Sequence, residues 1–123
     1  MLAVKIIAAS KKGQCLLGAG ESTVKILGKG MGGRNQEMAL AALSSISEKQ
    51  AFGCFASDGH DFTDCAGAIV DASTLERAKN LNLDYQSYLN NNDSFTFFDA
   101  VGDHVLTGLT GSNVADFFVL LQN

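Results

Sequence analysis

With 123 residues, 46% of them hydrophobic and none of them proline, the chain is long enough for one domain with a real core and short for a complete two-substrate enzyme. A net charge of −4 with no basic stripe argues against nucleic acid as a partner. Three widely spaced cysteines, Cys15, Cys54 and Cys65, form neither a disulfide framework nor a metal pattern. Small core residues in a reducing, cytoplasmic setting are the expectation for them.

The N-terminal run Leu2 to Ala9 carries Lys5 in its middle, lacks a basic leader and is too short to span a bilayer. It reads as a short helix stopped by Lys11-Lys12-Gly13, with no membrane as partner. Cys15 to Leu17 is a short apolar strand, and Ser22 to Leu27 alternates like a strand with one wet face. Together they suggest an antiparallel hairpin with Glu21 at its tip.

The next stretch, Gly28-Lys29-Gly30-Met31-Gly32-Gly33-Arg34-Asn35-Gln36-Glu37, joins that strand to a helix expected over Arg34 to Ile46. A glycine backbone running into a helix start presents free N–H groups and the positive end of the helix dipole. Lys29 and Arg34 add full charges, so the stretch reads as an anion cradle. The glycines spell G-x-G-x-x-G literally, but the preceding strand alternates where a dinucleotide site wants a buried one. A P-loop is also a poor fit, since Arg34-Asn35 stands where Lys and a hydroxyl residue belong. A glycine turn without a ligand is the structural alternative. Arginine in a first helical turn opposes the dipole, which hints that Arg34 serves a ligand.

Ala51 to Ala56 is a continuous apolar run suited to a buried central strand. It ends in Ser57-Asp58-Gly59-His60-Asp61-Phe62-Thr63-Asp64, a second polar site or simply an Asp-rich turn. The carboxylates here could hold Mg²⁺, which takes one or two carboxylates beside phosphate oxygens and water. His60 is more readily an exposed loop residue than a ligand. Ala66 to Val70 is a strand, and Ser73 with Glu76 reads as a capping box opening a helix to about Asn80. Asp84 and Asp93 are caps for two further short helices, the second carrying Phe95, Phe97 and Phe98 into the core. His104 to Thr107 and Phe117 to Leu121 are strands, separated by the donor-rich loop Gly108 to Asn113. The expected fold is a single three-layer α/β/α domain around a mixed sheet of about five strands.

Five ordered motifs then carry a family resemblance. Gly28-Lys29-Gly30-x-Gly32-Gly33-Arg34-Asn35-Gln36-Glu37, Ser57-Asp58-Gly59-x-Asp61, Thr63-Asp64-x-Ala66-Gly67-Ala68, Asn91-Asn92-Asp93-Ser94 and Thr107-Gly108-x-Thr110-Gly111-x-Asn113 resemble the MOFRL domain. That domain is the C-terminal part of class II glycerate kinases, often labelled hydroxypyruvate reductases. The resemblance implies ATP- and Mg²⁺-dependent phosphorylation of glycerate to 2-phosphoglycerate in a cleft between two domains. It assigns catalytic roles to Arg34, Glu21 and Asp61, and substrate or phosphate binding to Lys29, Gly30, Gly32, Gly33, Asn35, Thr110 and Asn113. Asp58 and Asp61 are the implied metal ligands. Departures from the family pattern are Gly18-Ala19-Gly20-Glu21-Ser22 where Gly-Gly-Glu-Thr is usual, and Phe62 alone between Asp61 and Thr63-Asp64. The family's large N-terminal domain, with its lysine, has no counterpart, so the chain reads as a fragment or a standalone remnant, inactive alone. The expected partners are glycerate, an N-terminal kinase domain in cis or trans, and a second copy in a homodimer. An NAD(P)H-dependent hydroxypyruvate reductase and a non-catalytic binding or assembly module are the alternatives.

Overall fold

A computed structural model describes residues 2 to 123. The elements run α1 (Leu2–Ala9), β1 (Gln14–Gly20), α2 (Arg34–Ala42), β2 (Gln50–Ala56), β3 (Gly67–Asp71), α3 (Ala72–Asn80), α4 (Tyr85–Asn90), α5 (Ser94–Val101), β4 (His104–Val105) and β5 (Asp116–Gln122). The strands form one five-stranded sheet in the order β1-β5-β2-β3-β4, and β2 is central as its apolar run requires. The expected α/β class and strand number are met.

Every pairing in the sheet is antiparallel, so the described residues hold no parallel βαβ unit of the dinucleotide-binding kind. Side chains alternate across the sheet, and one face carries Leu16, Phe118, Leu120, Phe52, Cys54, Ala68 and Val70 into a single core. Helices α1, α2, α3 and α5 all contribute buried side chains to that same core. The second helical layer expected of an α/β/α sandwich is therefore not formed by these residues. On the opposite face Phe55 and Phe117 pair at 5.2 Å, and Leu17, Ile69 and Leu121 are exposed.

Helix α2 is the centre of the helical layer. It was expected to bury a narrow stripe, yet seven of its nine residues are buried, because the sheet, α1, α4 and α5 surround it. It also ends four residues earlier than expected, with the backbone continuing as hydrogen-bonded turns to Ile46.

Two local expectations are corrected. The capping box of α3 is Asp71 with Thr74, not Ser73 with Glu76: the Asp71 carboxylate accepts from the Ser73 and Thr74 N–H groups, and the Thr74 hydroxyl accepts from the Asp71 N–H. Strand β3 runs straight into the helix, so its last residue falls at the cap. Residues 22 to 27 form no strand, and β1 pairs with β5 rather than with them. The reason lies in Asn92, whose side-chain oxygen accepts from the Leu27 and Gly28 N–H groups while its NH₂ donates to the Lys25 carbonyl. A side chain thus takes the backbone groups that a ladder would have used.

Candidate functional site

The motif from Gly28 to Glu37 resolves residue by residue. The glycines are demanded by close approach to the junction of α4 and α5. A Cβ at Gly28 would strike the Asn91 backbone, one at Gly30 would strike Asp93, and one at Gly32 would strike the Ser94 hydroxyl. The loop's N–H groups are bound by the same junction: Lys29 donates to the Asn91 side chain at 3.2 Å, Gly30 to the Asn91 carbonyl at 2.9 Å and Met31 to the Asp93 carboxylate at 2.9 Å. Only Gly32, Gly33 and Arg34 keep N–H groups without an acceptor among the described residues. The Lys29 side chain is exposed and forms no ion pair among them.

Asn35 and Gln36 point the other way, into the protein, where both are fully buried on Asp61. The Asp61 carboxylate accepts from the backbone and side-chain N–H groups of Asn35 (3.1 and 3.0 Å) and of Gln36 (2.9 and 3.1 Å). It is therefore the anion at the N-terminus of α2, supplied by the chain itself. With four donors on two oxygens, Asp61 has no lone pair directed at a ligand or metal. Among the described residues no group of three or more His, Cys, Asp or Glu side chains is spaced to hold a metal ion. The same polar layer reaches Cys54, whose thiol donates to the Asn35 side-chain oxygen at 3.0 Å; burial pushes that thiol up to about 12, so it stays protonated. Glu37 closes the motif by accepting from the Asn92 side-chain NH₂ at 3.0 Å.

Arg34 is half-buried at the rim of the protein, and its side chain is paired rather than free. Its Nε donates to Asp116 at 2.5 Å and a terminal nitrogen reaches the other Asp116 oxygen at 3.3 Å. The remaining terminal nitrogen meets Glu21 at 3.1 Å. The hydrogen bond to Asp116 is the main reason the guanidinium is held even more firmly protonated than usual. An arginine that opposes the helix dipole is thus explained by two acceptors beside it and by Asp61 on the axis. The guanidinium carbon lies 5.6 Å from the centre of the Phe62 ring, which stands 70% exposed on a left-handed backbone (φ 57°).

Arg34, Glu21 and Asp116 form one wall of a polar cavity of about 280 Å³, and Ser57, Asp58, His60 and Asn113 form the other. The two loops of the far wall are tied together. Thr110 donates its hydroxyl to the Ser57 carbonyl at 2.5 Å and its N–H to the Asp58 carbonyl at 3.2 Å. Gly59 has no room for a side chain beneath the Gly108 carbonyl. Ala115 sits at φ 70°, an unusual backbone for alanine, immediately before Asp116. Arg34 and Asp58 thus share a concave surface, with Asp61 beneath it. A second cavity, about 460 Å³, lies between residues 22 to 26 and the Gly32–Gly33–Arg34 corner. The largest surface hollow, about 1080 Å³, is at the opposite end of the sheet near Gln50, where Glu48, Lys49, Asp71, Glu76 and Lys79 form no ion pair among the described residues.

Sequence reasoning missed Asp116. The signal was present, as a lone acid at the start of the apolar run Phe117 to Leu121 and three residues beyond Asn113. It also missed that Asn92 binds the glycine loop.

The domain is thus an antiparallel α/β layer pair with a carboxylate-held arginine at the rim of an open polar cavity. The chain belongs to the MOFRL family, whose model matches residues 14–116. Zebrafish (Danio rerio) glycerate kinase is 46% identical over 116 residues, covering 87% of this chain and 23% of that protein. The D-glycerate 2-kinase of Thermotoga maritima is 41% identical over 112 residues, covering 89% and 27% respectively. A crystal structure of glycerate kinase from Thermotoga maritima superposes with a TM-score of 0.93 at 36% identity, covering 98% of this chain and 32% of that one. The chain therefore spans between about a quarter and a third of the length of these relatives.

Proposed function

We propose that this chain forms the C-terminal wall of a glycerate 2-kinase active site, where ATP phosphorylates glycerate to 2-phosphoglycerate. The observation that carries the proposal is Arg34, fixed by Asp116 and opening onto the cavity at the rim of Asp58, His60 and Asn113. Phosphoryl transfer asks little covalent chemistry of a protein and much positioning and charge stabilisation. A preoriented guanidinium suits that task, and it can also take a glycerate carboxylate through two parallel hydrogen bonds.

The cavity's charge explains why the wall is only half of a site. Three carboxylates, Glu21, Asp58 and Asp116, line the cavity beside one guanidinium. Anionic substrates need further positive charge, which Mg²⁺ and a second domain's lysine would bring. Asp58 suits an Mg²⁺ ion that takes most of its ligands from nucleotide phosphates and water, and Mg²⁺ would neutralise charge on the transferring phosphoryl group. Asp61 acts from below, by holding the first turn of α2 and hence the Arg34 backbone.

The purified chain should form no 2-phosphoglycerate from ATP and glycerate, and should do so once the N-terminal domain of a related kinase is supplied. In that restored enzyme Arg34→Ala should cost about 10²-fold or more in rate without unfolding the domain. Turnover by the chain alone, or a near-normal rate with Arg34→Ala, would overturn the proposal. Oxidation of NADH with hydroxypyruvate would instead establish the reductase.

A further inference from the structure

We infer that Arg34 is held by one permanent and one exchangeable carboxylate, Asp116 fixing its direction and Glu21 occupying the place that an incoming anion takes. The inference deepens the proposed function, since it describes how the same guanidinium meets an anionic ligand.

The two carboxylates differ in every respect that governs exchange. The Asp116 side chain is 7% exposed and engages Arg34 along two nitrogens, one of them at 2.5 Å. It lies at the start of β5, paired with Gly20 on one side and Ala56 on the other, so the sheet fixes its backbone. The Glu21 side chain is 65% exposed and makes one contact, at 3.1 Å, with one terminal nitrogen. It sits just past the end of β1, where the ladder has stopped. A solvated, single-contact pair is weak, whereas a buried two-point pair is costly to break. Both carboxylates line the polar cavity, so an anion entering it meets the guanidinium on the edge that Glu21 covers. Its arrival releases Glu21 to water and leaves the Asp116 pair intact. No bond is made or broken in this exchange.

Charge alone would make both acids equivalent: removing either should favour an anion. Exchange separates them. Glu21→Gln should tighten binding of inorganic phosphate and of glycerate by about fivefold, the order expected when one exposed ion pair no longer competes. Asp116→Asn should weaken it, since the guanidinium loses the partner that aims it. Calorimetric titration of the folded 123-residue chain with each anion measures this directly. Carboxylate ¹³C signals in the unsubstituted chain give a second reading that needs no buried substitution: phosphate should move the Glu21 signal and leave Asp116 in place. Equal gains from both substitutions, no gain with Glu21→Gln, movement of both signals, or no anion binding by any form would overturn the inference. Because the readout is binding, it stands or falls separately from turnover. A chain that binds as expected yet never supports 2-phosphoglycerate formation would refute the kinase and leave the exchange.

Discussion

The glycine loop at residues 28 to 33 and the acidic loop at residues 57 to 64 look alike as candidates, each a polar segment between regular elements. In the folded chain they divide differently. The glycine loop spends its N–H groups on Asn91, Asn92 and Asp93, and keeps only the Gly32–Gly33 corner free. The acidic loop splits within itself: Asp58 lines the cavity, while Asp61, three residues on, is 2% exposed and caps α2. Glycine richness here reports close packing of two backbones, and acid richness reports one solvent-facing group beside one structural group. Composition finds such loops, but only burial says which atoms remain available.

The sharpest way to break that comparison is to remove the two aspartates separately. Asp61→Ala orphans three buried donors, the Asn35 and Gln36 backbone N–H groups and the Asn35 side-chain NH₂, and uncovers a helix dipole, so it should cost about 3–5 kcal/mol by urea denaturation. The Asp58 carboxylate accepts only the His60 N–H among the described residues, so Asp58→Ala should change stability by about 0.5 kcal/mol or less. Similar costs would mean that the acidic loop acts as one unit.

Next in size is the strip that holds the glycine loop. Asn92 is 8% exposed, has a left-handed backbone (φ 54°) that asparagine tolerates, and bonds Lys25, Leu27, Gly28 and Glu37. Asn92→Ala should cost about 2–3 kcal/mol, with loss of amide protection at Leu27 and Gly28 in hydrogen exchange. Asn91→Ala removes one long side-chain bond at an exposed residue and should cost under about 1 kcal/mol. Equal losses would show that the backbone contacts, not the Asn92 side chain, secure the loop.

The elements were largely legible in the sequence because the signals were local. The run Ala51 to Ala56 could hardly be anything but a central strand, and Asp84 caps α4 as its position implies. Residues 22 to 27 failed for a nonlocal reason: Val24, Ile26 and Leu27 favour a strand, but a side chain 65 residues away from Leu27 supplies the hydrogen bonds. The site was half legible on the same principle. Arg34 announced itself by opposing the helix dipole, whereas its partner Asp116 lies 82 residues on and is joined to it only by the sheet. The family resemblance makes Asn35 ligand-facing, and Gln36 follows it in the same motif. On a helix, adjacent residues point in different directions, and these two point at Asp61.

The smallest expected effect tests Glu37, the single acid of the motif Gly28 to Glu37. Two influences act on its carboxyl: burial disfavours the charged form, and the Asn92 NH₂ donation favours it. Burial is the larger, so the group is raised above the usual carboxylate value. An acid whose folded form holds its proton more tightly than the unfolded chain loses stability as pH rises from the ordinary value, about 4.3, through the raised one. Above that window the penalty is constant, and below the ordinary value it vanishes. Glu37→Gln keeps a carbonyl oxygen for Asn92 and carries no charge. Its stability should therefore match the unsubstituted chain near pH 4 and exceed it slightly at pH 7, read as a small rise in urea midpoint. The gain should survive added salt, since desolvation rather than a distant charge causes it. A Glu37→Gln chain that is less stable at pH 7 would mean that the Asn92 contact outweighs burial. In that case the charge of Glu37 helps hold the glycine loop, and the loop and the acidic segment would each depend on one carboxylate.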